Sequence, residues 1–159
     1  MKQKYVKADM VRDDMVCDEG IIEEFDLVIY PLKLVVVIGE LETAVNHFYI
    51  PRDRQYNWLA PPRESAAATV SLIEERESGK YGLMIWFSTV DDCTGSHICH
   101  ECGHIALEIF KHIGAKLNYE DQEPFCYLLA AIFECSNETL YKYKDYIESK
   151  KSKNKTKKK

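Results

Sequence analysis

The sequence predicts an α+β domain in which a small, mainly antiparallel sheet packs with two helices, the second of them C-terminal. Three observations predict it. A β-branched apolar stretch, Leu32-Lys33-Leu34-Val35-Val36-Val37-Ile38, ends at Gly39. A second stretch, Tyr81–Ser88, follows the Gly-containing turn Arg76-Glu77-Ser78-Gly79-Lys80 and so forms half of a hairpin. Beyond residue 97 the apolar spacing changes from strand-like to helical.

Taken in order, residues 1–20 are polar and without a clear period, and are expected to form an arm. The main domain is expected over 21–148. Phe25–Tyr30 reads as a strand, and Pro31, which cannot donate to a ladder, as a bend before the next one. Leu41, Ala44, Val45 and Phe48 are spaced for a short amphipathic helix over 40–49. The Pro- and Arg-rich segment 51–65 suggests a loop. Strands follow over 67–74 and 81–88. Asp91, Asp92, Thr94 and Ser96 offer N-caps for a helix over 97–112 that Gly114 ends. A last helix is expected over 123–146, with Asp121 as its cap and Pro124 in its first turn. The tail, 149–159, has no apolar residue to bury and is expected to be disordered.

A chain of 159 residues with 46% hydrophobic and 30% charged residues can build one domain with a real core. Its most apolar run, Leu27–Gly39, is interrupted by Pro31 and Lys33 and is too short to span a bilayer. Charged residues occupy the place of a signal-peptide core, so a cytoplasmic protein is expected, with its six cysteines reduced. Residues 150–159 hold seven lysines and no acid; subtracting them from the net −5 leaves the rest at −12. An acidic body argues against nucleic acid as the main partner.

The chemistry concentrates in His100-Glu101-Cys102-Gly103-His104. At about 100° per residue with His100 at zero, His104 falls near 40° and Glu101 near 100°, while Ile98, Cys102, Ala106, Ile109 and Phe110 cluster between about 160° and 280°. Two histidines one turn apart can aim ring nitrogens at one ion, with a glutamate offset to act on a bound water. The plain alternative is the solvated face of an amphipathic helix. A rival metal motif, Cys99-x-x-Cys102, is weak: both thiols fall in the apolar arc, where cysteines act as small hydrophobes. His47 and His112 read as structural or exposed, and Trp58 with Pro61-Pro62 as loop packing.

His100-Glu101-Cys102-Gly103-His104 resembles the HExxH motif of the zincin metallopeptidases, including the small residue before the second histidine. The position six beyond His104 is Phe110, so the metzincin extension is absent. The resemblance, over roughly residues 80–135, is to the glutamate-type zincins. It implies Zn2+ held by His100, His104 and Glu123, which lies in Asp121-Gln122-Glu123-Pro124, with Glu120 and Glu108 as competitors for the third place. It implies Glu101 as general base and an edge strand, Tyr81–Ser88, pairing with a protein or peptide substrate. The layout also resembles small HExxH proteins encoded by tailed phages, which would place it in a host cytoplasm. The same fold without catalysis, as a structural or interaction protein, is the alternative.

Overall fold

The computed structural model describes residues 9–10, 15–17, 20–40, 44, 48–49, 66–75 and 77–156. Its strands are β1 (Asp9–Met10), β2 (Met15–Cys17), β3 (Gly20–Asp26), β4 (Lys33–Gly39), β5 (Phe48–Tyr49), β6 (Ala68–Glu75) and β7 (Tyr81–Phe87). Two helices follow, α1 (Gly95–His112) and α2 (Glu123–Thr156). The strands form one sheet in the order β1-β3-β4-β7-β6-β5, with β2 also on β3. Every pairing is antiparallel except β4 with β7, which runs parallel from Lys33–Gly82 to Ile38–Phe87.

Strand side chains alternate between two buried faces. Leu34, Val36 and Ile38 of β4 and Leu83, Ile85 and Phe87 of β7 pack under the helices, with Ile98, Ile105, Leu128 and Ile132. Val35, Val37, Met84 and Trp86 enter a second cluster on the opposite face, with Ile22, Ile73, Ala44 and Phe48. Burial on both sides explains why these strands are apolar without a break. Trp86 also donates its indole N–H to the Gly39 carbonyl at 2.8 Å.

The first long strand runs Gly20–Asp26, not Phe25–Tyr30 as its composition predicts. Leu27–Leu32 forms the turn: Asp26 Oδ1 accepts the Val28 N–H at 2.9 Å and holds Val28 at φ 54°. A β-branched residue in that region is strained by about 1–2 kcal/mol. Residues 9–10 and 15–17 are strands on β3, where an unpaired arm was expected; β3 offers a free edge that polar sequence does not reveal. Of the helix expected over 40–49, Ala44 is helical and Phe48–Tyr49 is strand; the rest, and the expected loop 51–65, lie outside the described residues. The 67–74 and 81–88 hairpin forms as expected.

α1 packs on β6 and β7, and α2 on β3 and β4. The two helices run antiparallel, held by Cys102 against Ser136 (3.7 Å) and by Phe110 edge-on to Phe125 (5.4 Å between centroids). On the first of α2's turns, Cys126 N–H donates to the Gln122 carbonyl, so Gln122 rather than Asp121 stands at the cap. α2 continues through Thr156, so residues 149–156 of the tail expected to be disordered are helical, because lysine is a good helix former and the helix is already nucleated; 157–159 lie outside the described residues. The anchor of α2 is Glu23, 1% exposed, whose carboxylate accepts from Thr139 Oγ1 at 2.8 Å and from Lys142 Nζ. No helix among the described residues is long and apolar enough to cross a membrane.

Candidate metal centre

α1 is positioned by its start. The Asp92 carboxylate accepts from Ser88 Oγ (2.7 Å) and Thr89 Oγ1 (2.6 Å), and these bonds hold it below the usual carboxylate range. Thr94, extended at φ −75°, ψ 154°, caps the helix by accepting the His97 N–H at 3.2 Å. The His97 ring lies with Nδ1 2.7 Å from the Asp92 carbonyl. A carbonyl can only accept, so Nδ1 carries the proton and Nε2 is turned outward. At the other end, Gly114 takes φ 70° and its N–H and that of Ala115 return to Lys111 and Phe110.

On this helix His100 and His104 are both exposed, one turn apart, with Nε2 atoms 3.1 Å from each other and rings nearly perpendicular at 83°. Two nitrogens each about 2.0–2.1 Å from a tetrahedral zinc ion lie about 3.3 Å apart, so this pair spans close to one edge of the tetrahedron. As a chelating pair the donors fit zinc. Metal ligands would need both rings deprotonated at Nε2, with the protons on Nδ1.

Glu101 differs from its neighbours in being 8% exposed. Burial pushes its carboxyl above the ordinary value, opposed by the nearby His100, His104 and His97. The direction in which it faces follows from the packing. Cys102 and Phe110 define the flank of α1 toward α2; β6 and β7 lie beneath, and the sheet order puts β6 on the outer side. Glu101, at about 100° against about 200° and 280° for those two, sits on the flank turned toward β6. Only Glu74 and Glu75 of β6 pair outward, with Tyr49 and Phe48, so among the described residues Ala68–Ile73 keeps a free edge on that side.

The remaining expected residues are placed as follows. The antiparallel contacts set His104 level with a point about a third of the way along α2, and Glu123 level with the end of α1, about two to three turns, or ~12–16 Å, along the axis. Glu123, on the first turn of α2, is exposed and is not brought to the histidines. Glu120 is exposed in the α1–α2 connection, and Glu108 pairs with Lys111 at 3.4 Å. Among the described residues no third His, Cys, Asp or Glu joins the pair in a group able to hold a metal. β7 is not an edge strand: β4 and β6 flank it. The unbroken apolar run Leu83–Phe87 was the signal, since a strand with one wet face alternates.

The thiols do not converge. Cys102 is fully buried, whereas Cys99 is exposed rather than apolar-packed as expected, so the two face differently. Burial pushes the thiols of Cys93, Cys102 and Cys135 up to about 12, far from the thiolate a metal or redox site needs. His112 is exposed at the helix end; His47, Trp58, Pro61 and Pro62 lie outside the described residues. Comparison with protein-family models, curated proteins and solved structures found no match.

Proposed function

We propose that the chain is a zinc-dependent hydrolase of peptide bonds, with His100 and His104 holding the ion and Glu101 as the general base. The observation that carries this reading is the convergence of the two Nε2 atoms to 3.1 Å beside a carboxylate that burial has made more basic. Bound zinc would supply Lewis acidity toward a carbonyl and a water made acidic near neutral pH.

The chain's own residues do the rest. Glu101 accepts the proton of the attacking water and returns it to the leaving nitrogen; a raised affinity for protons suits both steps. The substrate backbone lies extended along Ala68–Ile73, adding a strand to the edge of β6 that no described residue pairs, the side toward which Glu101 faces. That replaces β7 as the substrate-pairing strand. The His97 ring, fixed through Nδ1, borders the same face one turn earlier and leaves Nε2 for a substrate donor.

A second reading, a zincin-shaped binding protein without catalysis, is favoured by one observation: among the described residues neither Glu123 nor any other His, Cys, Asp or Glu joins the two histidines as a third ligand. Metal analysis separates the two. The peptidase reading expects about one zinc per chain, lost in His100→Ala/His104→Ala. It also expects metal-dependent casein cleavage that Glu101→Gln abolishes with zinc retained. Zinc-free protein after reconstitution, or full cleavage by Glu101→Gln, would sink it. In the arrangement described, Glu123→Ala keeps its zinc; loss of the metal there would mean that the first turn of α2 reaches the pair.

A further inference from the structure

The far end of α2 is built differently from the rest of the molecule. With about 1.5 Å of rise per residue, its 34 residues extend ~51 Å against ~27 Å for the 18 of α1. The register set by Cys102–Ser136 brings α2 level with the start of α1 near residue 143. Lys144 is indeed close enough to Cys93, just before the α1 cap, to act on its thiol. Past this point Tyr146 and Ile147 still pack on the core, while Glu148, Ser149, Lys151, Ser152 and Lys153 are exposed.

Along this stretch the face that packs on the sheet changes chemistry. Leu140 and Tyr143 are buried in the core beneath α2, and Tyr146 and Ile147 pack against it. Counting about 100° per residue from Tyr143, Ile147 lies near 40°, Lys150 near −20°, Lys151 near 80° and Lys153 near −80°. Asp145 and Glu148 fall on the opposite side, near 200° and 140°. Beyond Ile147 the apolar stripe therefore gives way to a run of lysines spread over about half of the helix circumference. Lys150 Nζ lies 5.1 Å from the Tyr146 ring centroid, tying the head of that run to the end of the core, while Lys151 and Lys153 are exposed. Lys155, Lys157, Lys158 and Lys159 extend the run in sequence.

We propose that this arm binds the phosphate backbone of duplex nucleic acid, as a tether distinct from the face that carries His100 and His104. Residues 148–156 contain no apolar side chain, so the arm cannot enter a bilayer interface as an amphipathic helix does. A helix about 10–12 Å across fits a major groove about 12 Å wide, with lysines reaching the flanking phosphates. The body, at −12, is repelled by the same ligand, so contact is confined to the arm and depends steeply on salt.

The test uses the full chain, a fluorescent duplex of about 20 base pairs and anisotropy titrations over a series of salt concentrations. Wild type should bind at low salt, and Lys150→Gln/Lys151→Gln/Lys153→Gln/Lys155→Gln should bind at least about tenfold more weakly, with a log–log salt slope shallower by about 3. Glutamine is a comparable helix former, so circular dichroism should be unchanged. No binding by wild type at low salt, or equal binding by the variant, overturns the proposal. So does tighter binding to phosphatidylserine vesicles than to the duplex, which would make the arm a membrane-surface element.

Discussion

Among the described residues three glutamates are buried, Glu23, Glu24 and Glu101, and the surroundings of the first and the last are opposite. Glu23 of β3 is enclosed at 1% exposure with Thr139 and Lys142 of α2 bound to its oxygens. Glu101 of α1 is 8% exposed with three histidines nearby, and among the described residues no side chain donates a hydrogen bond to it. A carboxylate that is buried and fully bonded fixes a position; one whose oxygens lack side-chain donors but still meet water keeps its capacity for a proton. The first holds the long helix to the sheet, and the second suits chemistry.

The contrast can be broken in several ways. The largest expected effect is on turnover: Glu101→Gln should lower hydrolysis by about a thousandfold, the scale of a lost general base. Next comes stability. Glu23→Ala should cost about 1–3 kcal/mol in urea unfolding, because Thr139 and Lys142 lose their buried acceptor and keep only the Cys135 carbonyl and Glu138. By the contrast drawn above, Glu101→Gln should cost nothing in metal-free protein and stabilise it by up to about 1 kcal/mol. Equal destabilisation by both would erase the distinction between them. A chemical test follows: iodoacetamide on native protein should label Cys99 and Cys126 and spare Cys93, Cys102 and Cys135. Rapid labelling of Cys102 would revive a thiol site.

The smallest effect concerns a third carboxylate, Asp92, which is hydrogen-bonded but in water's reach. Its folded pKa lies below its unfolded one, so it contributes stability above the unfolded value of about 3.9 that is lost as pH falls through the folded value. Asp92→Asn should therefore flatten the acid limb of the stability–pH curve below about pH 4, and leave its neutral region little changed. An unaltered acid limb would show that Ser88 and Thr89 do not discriminate between its two protonation states.

What was legible in the sequence was local. The α1 caps, its period and the spacing of His100, Glu101 and His104 all act within one or two turns, and they fold as read. β3 was not legible from Gly20, because two consecutive acids in its middle look like loop. They are tolerated through partners on other elements: Thr139 and Lys142, over a hundred residues on, for Glu23, and Lys33 of the adjacent strand at 3.0 Å for Glu24. Strand order is equally non-local: β7, expected to be an edge strand, lies between β4 and β6. The helical course of residues 149–156 was hidden by weighing composition over propensity. Lysine without apolar company reads as disorder, yet it continues a helix that packing has already begun.

The parallel pairing of β4 with β7 also sets an order of assembly. Val36 meets Ile85 only when the 48 residues between them have closed on themselves, and that loop carries β6 within it. His100 and His104, by contrast, come together on a single helix, and α1 and α2 are joined by a short connection. Local contacts of this kind form in microseconds, and sheets closed over long loops form far more slowly. The two histidines are thus brought together by the local fold of α1 alone, whereas the β6 edge beside them depends on the long-range closure of the sheet.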